Sequence, residues 1–172
     1  MRVFCEIVER CERTEMCECF VCKRIELIKK RQNPYFIREL ETGYVVLGDS
    51  QRFRGYTLFL CKQHATELHF LEKNFRNKFL QGMSLVAEAV YNAFQPDKLN
   101  YELLGMGDAV HMHWHIFPRR EGDTLLPGPV WRMDKQEMNA VCYRPDATEL
   151  AYLKEMVNEE LEKLLEKMHG EN

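Results

Sequence analysis

The sequence predicts an α+β fold, in which an antiparallel sheet is combined with a long central helix and a C-terminal helix. Three observations support this prediction. Residues 33–61 carry successive strand signals, and residues 111–117 alternate histidines with apolar side chains. The segments 70–95 and 146–170 repeat apolar residues at helical spacing.

The first 31 residues divide into an arm and a short helix. Residues 1–16 are charged and hard to place, because Val3, Cys5 and Ile7 alternate as in a small edge strand while the segment could equally be a loose arm. We assign this arm no chemistry. Residues 23–31 carry isoleucines at helical spacing and predict a short helix.

The next part of the chain predicts two or three consecutive antiparallel strands. The strand-like runs are 35–40, 44–47 and 56–61, and glycine-containing breaks separate them. A further strand is predicted over 97–106.

A long amphipathic helix is predicted over residues 70–95, and Pro96 ends it. Its aromatic and aliphatic stripe is most simply core packing. The stripe consists of Phe75, Phe79, Met83, Val86, Val90 and Phe94.

The C-terminal part begins with an irregular excursion over 120–131, which is rich in Gly and Pro. The last helix, residues 146–170, starts near Asp146 with Glu149 completing a capping box. Its apolar stripe either covers the sheet or packs against a second subunit. The stripe consists of Leu150, Leu153, Met156, Val157, Leu161, Leu164 and Met168.

Size and composition restrict the classes of function. With 172 residues, 45% of them hydrophobic, the chain can bury one good core, which predicts a single domain over 1–172. A net charge of −3 with mixed signs gives no basic surface for tight nucleic-acid binding. No run is long enough to span a membrane, and the charged start does not resemble a signal peptide, so we expect a cytoplasmic protein.

The cysteines favour metal binding or free thiols over a disulfide framework. There are seven, an odd number, and five precede residue 23. Cys19 and Cys22 form a CxxC motif, which is compatible with half a zinc site, a redox pair or two small buried side chains. The charged residues before it do not supply the strand that a thioredoxin-like motif would follow.

Three of the six histidines, His111, His113 and His115, lie at two-residue spacing. In an extended strand, residues i, i+2 and i+4 point to one face, so the three imidazoles form a row. The intervening Met112, Trp114 and Ile116 enter a core on the other face. Each ring nitrogen in such a row needs a partner, so the pattern favours metal or phosphate chemistry over a purely structural strand.

The motif His-Met-His-Trp-His-Ile-Phe, followed by Pro118-Arg119, resembles the signature of the histidine triad (HIT) superfamily. The resemblance spans residues 19–131, and the tail ending at Pro129-Val130-Trp131 is similar to that of a bacterial-type, zinc-containing subgroup. It implies a HIT-like antiparallel sheet. It also implies a homodimer and a hydrolase or transferase of nucleotides that acts on the α-phosphate of dinucleoside polyphosphates or nucleoside phosphoramidates.

The resemblance implies roles for two of the histidines. His113 is the expected nucleophile, which forms a covalent nucleotidyl intermediate that water releases. A histidine suits this role because it is largely neutral at pH 7. His115 is expected to hold the α-phosphate oxygens of a purine nucleotide. Two alternatives stay open: a nucleotidyltransferase that uses the same intermediate, and a non-catalytic, zinc-stabilised nucleotide-binding module.

The resemblance also implies a structural zinc site with the ligands Cys19, Cys22, His64 and His111. Two thiolates and two imidazoles are ligands that zinc accepts in a closed, four-coordinate site. Cys17 is the chief rival ligand, and Cys5 and Cys11 are weaker ones.

Three residues are expected near the substrate phosphate. Asn100 precedes His111 by eleven positions, where many triad proteins carry an amide. Gly107 and Asp108 stand where the commonest family pattern has Gln and Ser or Thr. A carboxylate facing a phosphate is repulsive unless it is protonated, metal-bound or turned away, whereas the main-chain N–H groups of the loop could still donate.

Overall fold

The computed structural model describes residues 19–125 and 128–170. The predicted arm 1–16 and the rival ligands Cys5, Cys11 and Cys17 lie outside the described residues. The helices are α1 (Phe20–Lys29), α2 (Lys73–Phe94), α3 (Lys135–Met138) and α4 (Ala147–Gly170). The strands are β1 (Phe36–Glu39), β2 (Gly43–Leu47), β3 (Thr57–Cys61), β4 (Lys98–Glu102) and β5 (His113–Arg119).

The five strands form one antiparallel sheet in the order β1-β2-β3-β5-β4. The histidine strand β5 lies between β3 and β4, so it has a hydrogen-bonded neighbour on each side. The sheet with its helices confirms the α+β class. The predicted strand 97–106 is shorter in the structure, and β5 begins at His113 rather than at His111.

One face of the sheet carries the larger core, which α2 and α4 cover. Phe59 on β3 stacks on Phe79 of α2 with ring centroids 5.1 Å apart. A Cβ at Gly43 would lie 2.4 Å from the Phe59 ring, so only glycine fits at this point of β2. The core on this face also contains Val45, Leu47, Val86, Val90, Met112, Ile116, Leu153, Val157 and Leu161, and Trp114 packs against it.

Capping residues set the two ends of α2 and the start of α4. The Glu72 side chain accepts hydrogen bonds from the N–H groups of Asn74 and Phe75, which starts α2 at Lys73 rather than at residue 70. The C-cap residue Gln95 is left-handed, with φ 47°, directly before the predicted terminator Pro96. The side chain of Asp146 accepts from the N–H groups of Thr148 and Glu149 at 2.9 and 2.8 Å, as predicted for the start of α4.

The stripe of α4 packs within this chain. Leu153, Val157 and Leu161 are completely buried in the same core as α2, and the Arg38 side chain of β1 reaches Asn158 at 2.8 Å. Of the two predicted roles for this stripe, the structure therefore shows that it covers the sheet.

The opposite face carries a second core around α1 and the segment 128–144. Val21, Ile25 and Ile28 of α1 pack there, with Tyr44 and Phe117 of the sheet. The segment beyond residue 128 contains α3 and short 3₁₀ turns, and Ser50 donates to the Met138 carbonyl to hold it against the sheet. Among the described residues, no helix is long and apolar enough to cross a bilayer.

Candidate active site and metal centre

Four predicted metal ligands, far apart in sequence, meet beside the sheet. Cys19 is the N-cap residue of α1 and Cys22 lies in its first turn, while His64 follows β3 and His111 precedes β5. Their ligand atoms all lie within 4.8 Å of one another. The Cys22 Sγ is 3.1 Å from His64 Nδ1 and 3.3 Å from His111 Nδ1.

The surroundings of these side chains fit a thiophilic cation such as zinc. His111 Nε2 lies 2.8 Å from the Cys61 carbonyl, which can only accept, so Nε2 carries the proton and Nδ1 presents a lone pair to the cluster. Burial lowers the pKa of His64, which keeps that ring neutral. Hydrogen bonds to Cys22 and His111 lower the pKa of the Cys19 thiol to about 3, against the effect of burial.

His113 has a defined tautomer. The side chain is 8% exposed, and its Nδ1 lies 2.7 Å from the His111 carbonyl. Because a carbonyl only accepts, Nδ1 carries the proton and Nε2 keeps an unshared electron pair. Burial is the main cause of a lowered His113 pKa. Residue 111 therefore contributes its side chain to the metal cluster and its backbone to the orientation of His113.

His115 lies beside His113 on the same face, with ring centroids 4.6 Å apart. Burial, then the neighbouring His113, lowers the pKa of His115 to about 3, so this ring is neutral at physiological pH. Its Nδ1 is 2.6 Å from the Tyr56 hydroxyl. The predicted row of imidazoles on one face of a strand is thus present for His113 and His115.

Asn100 lies on β4 opposite Phe117 of β5, four residues beyond His113. That corresponds to about 13 Å along the strand at ~3.3 Å per residue. The Asn100 Oδ1 accepts from Arg119 Nη1 at 2.8 Å. The structure thus brings Asn100 to Arg119 rather than to the ring of His113, and its contact with phosphate stays a prediction.

Gly107 opens a 3₁₀ turn, Gly107–Ala109, that leads towards the histidine strand. Its φ of 64° is left-handed, which explains glycine at this position. The side chain of Asp108 lies outside the described part of the chain. Phosphate binding by Gly107 and Asp108 therefore also stays a prediction.

Comparison with known proteins identifies the family. A sequence model of the HIT domain matches residues 30–122, which is more than half of the chain. The chain belongs to the HIT family. A search among curated proteins gave no significant match for the HIT chain.

Solved structures of other HIT proteins share the fold. A histidine triad protein of Bradyrhizobium japonicum has a TM-score of 0.63 at 24% identity, covering 76% of this chain and 94% of its own. A hypothetical histidine triad nucleotide-binding protein of Sulfolobus tokodaii has a TM-score of 0.63 at 21% identity, with coverage of 83% and 93%. A zinc-bound histidine triad family protein of Mycobacterium smegmatis has a TM-score of 0.59 at 21% identity, with coverage of 87% and 96%.

Two residues of this HIT site were missed by sequence reasoning. Tyr56, just before β3, binds His115, and Glu102 of β4 is the cross-strand partner of His115. Glu102 is 9% exposed, and burial raises its pKa. Only the two-residue spacing of Asn100 and Glu102, which puts them on one face of β4, could have indicated the glutamate.

Proposed function

We propose that the chain is a nucleotide hydrolase that uses Nε2 of His113 to attack the α-phosphate of dinucleoside polyphosphates or nucleoside phosphoramidates. The observation that carries this proposal is the hydrogen bond from His113 Nδ1 to the His111 carbonyl. It leaves the lone pair on the nitrogen that is free to reach phosphorus. Purine nucleotides are the proposed substrates.

The proposed reaction has two steps. In the first, the Nε2 lone pair forms a phosphorus–nitrogen bond while the bond from phosphorus to the leaving group breaks. The leaving group departs with that electron pair and takes a proton from solvent where it needs one. In the second, water attacks phosphorus, the electron pair of the phosphorus–nitrogen bond returns to Nε2, and the proton of water passes to solvent. A nucleoside monophosphate is released and His113 is restored.

The neighbouring groups would stabilise the charge on the phosphate. His115 is neutral, so its N–H can donate to a phosphate oxygen without transferring a full proton. The backbone of the Gly107 turn and the side chains of Asp108 and Asn100 are the further proposed substrate contacts.

A structural zinc ion is the proposed cofactor, held by Cys19, Cys22, His64 and His111. Bound there, zinc would cross-link α1 to the residues that flank β3 and β5 and would couple metal binding to folding. His111 would then be fixed at its side chain, while its carbonyl orients His113.

Retention of label tests the nucleophile directly. The protein is mixed with diadenosine tetraphosphate or adenosine 5′-phosphoramidate labelled at the α-phosphorus, then quenched in denaturant at alkaline pH, because phosphorus–nitrogen bonds are labile in acid. We expect label on the wild-type chain and on H69A, which changes an exposed histidine. H113A should carry none while keeping its circular dichroism spectrum.

The same experiment separates the alternatives. Binding without label on the wild-type chain would overturn hydrolysis in favour of a nucleotide-binding module. Label that leaves the protein only after an acceptor such as a sugar phosphate is added would favour a nucleotidyltransferase.

We further propose that the chain forms one domain, that it assembles as a homodimer and that it is cytoplasmic. The edge strand β4 supports assembly, because its outer hydrogen-bonding groups face away from the sheet and its Tyr101 is 47% exposed. Light scattering at micromolar concentration should give the mass of a dimer, and a monomer would contradict this proposal.

A further inference from the structure

The position of Tyr56 is fixed by the loop between β2 and β3. Gly48 packs directly under its ring, where a Cβ would lie 2.1 Å from Tyr56 Cδ1. The buried amide of Gln51 donates to the carbonyls of Gly48 and Tyr56 and accepts from the N–H of Gly55. Both the glycine and the buried glutamine thus serve to hold this one aromatic side chain.

The Tyr56 ring is also fixed from the side of the site. It stacks on Phe117 of β5 with centroids 4.1 Å apart and an interplanar angle of 10°. The side chain is buried, and its hydroxyl lies in hydrogen-bonding distance of His115. Since packing sets the ring, the hydroxyl meets His115 at a fixed point.

The direction of this hydrogen bond follows from the single proton of the phenol. Among the described residues, Nδ1 of His115 is the one hydrogen-bond partner of the buried Tyr56 hydroxyl. If Nδ1 donated the ring proton, the phenol proton would be buried without an acceptor, so the phenol donates and Nδ1 accepts. Burial raises the pKa of Tyr56, so the phenol keeps the proton that it donates.

We propose that Tyr56 is a positioning residue. Its hydroxyl donates a hydrogen bond to Nδ1 of His115, and the ring proton is thereby placed on Nε2. This inference rests on the proposed function for its catalytic meaning. A charged phosphate oxygen is a strong acceptor, to which the Nε2–H of His115 would donate.

Nitrogen NMR tests the tautomer without any substrate. In protein with ¹⁵N-labelled histidine, assigned with H115A, the wild-type ring should show a protonated Nε2 and an Nδ1 that accepts a hydrogen bond. Y56F removes only the hydroxyl, and the His115 ring should then populate both tautomers. The matched control Y44F changes a buried tyrosine on the same face, whose ring contacts Lys62, and it should leave the His115 signals unchanged.

Kinetics test whether Tyr56 acts through His115. Y56F should lower kcat by about ten- to hundredfold, as loss of a supporting hydrogen bond does at other sites, with KM changed by less than about threefold. In an H115A background, Y56F should cost less than about twofold more, because two residues acting as one unit are not additive.

Three results would overturn the proposal: a proton on Nδ1 of wild-type His115, His115 signals that Y56F leaves unchanged, or losses that multiply in the double variant. The NMR result does not depend on turnover. A protein that forms no labelled intermediate would therefore refute the proposed function while leaving the role of Tyr56 to be judged by the tautomer.

Discussion

Replacing Arg119 with methionine should destabilise the fold strongly, because its guanidinium is buried and all five N–H donors are used. Nε and Nη2 bind the two carboxylate oxygens of Asp123, each at 2.7 Å, and Nη1 binds Asn100 and the Gly128 carbonyl. Nη2 also reaches Thr124 at 3.5 Å. The side chains of Arg119 and Asp123 are only 11% and 14% exposed.

The expected magnitude follows from what remains after the substitution. Methionine keeps much of the packing against the Phe53 ring but leaves the Asp123 carboxylate buried without its cation. Breaking a buried pair from one side costs about 3–5 kcal/mol, and the N–H of Arg120, which still binds Asp123 at 3.0 Å, favours the lower end. At about 2–4 °C per kcal/mol for a chain of this size, Tm should fall by about 6–12 °C.

Urea denaturation and thermal scans of R119M measure this loss, and R54M is the matched control. Arg54 pairs with Glu149, but the two side chains are 51% and 42% exposed, so the loss there should stay below about 1 kcal/mol. Equal losses in the two variants would refute the argument from burial.

Three further predictions concern the metal cluster, the buried acid and the loop under Tyr56. C22S should lose bound zinc, measured as metal per chain after dialysis, whereas C142S, at an exposed cysteine, should keep it; equal zinc in both would exclude Cys22 as a ligand. Burial raises the pKa of Glu102, so ionising this carboxyl lowers the stability of the fold. This loss of stability is absent below the unfolded-state pKa of about 4.3, and it grows as the pH rises through the higher folded-state pKa. E102Q should therefore gain stability relative to wild type in urea denaturation at pH 7 but not at pH 4, and a difference independent of pH would contradict this. G48A should cost about 1–3 kcal/mol in the same assay, because the new Cβ collides with the Tyr56 ring, and an unchanged stability would show that the loop can yield.

The periodic parts of the chain were predictable because periodicity reflects burial. The two-residue spacing around His113 correctly placed His113 and His115 on one face and Ile116 in the core on the other. The apolar stripe of α2 and the Asp146 cap of α4 could also be predicted, since helix spacing and capping are local properties. The start of α2 was predicted less well. Residues before it form a 3₁₀ turn, and Glu72 rather than the apolar stripe sets where the helix starts.

The metal cluster could be predicted only through the family resemblance. Spacing within the CxxC motif points to half a site, but the closure of Cys22 onto His64 and His111 spans 42 and 89 residues. The structure brings Cys19, Cys22, His64 and His111 together, and their binding of zinc stays a prediction.

The remaining contacts depend on strand register, which no local pattern reveals. Tyr56 reaches His115 because of how β3 and β5 lie beside each other, and Glu102 faces His115 because β4 pairs with β5 in one particular register. The same register places Asn100 beside Arg119, and the distance of Asn100 from His111 in the sequence did not indicate this hydrogen-bond partner.

The central claim is that Nε2 of His113 forms a bond to the α-phosphorus. Tandem mass spectrometry of the chain after alkaline quench from diadenosine tetraphosphate locates the modified residue. A peptide that carries one adenosine monophosphate on His113 is the predicted result. A nucleotide on any other residue, or turnover with an unmodified His113 at every quench time, would contradict the claim.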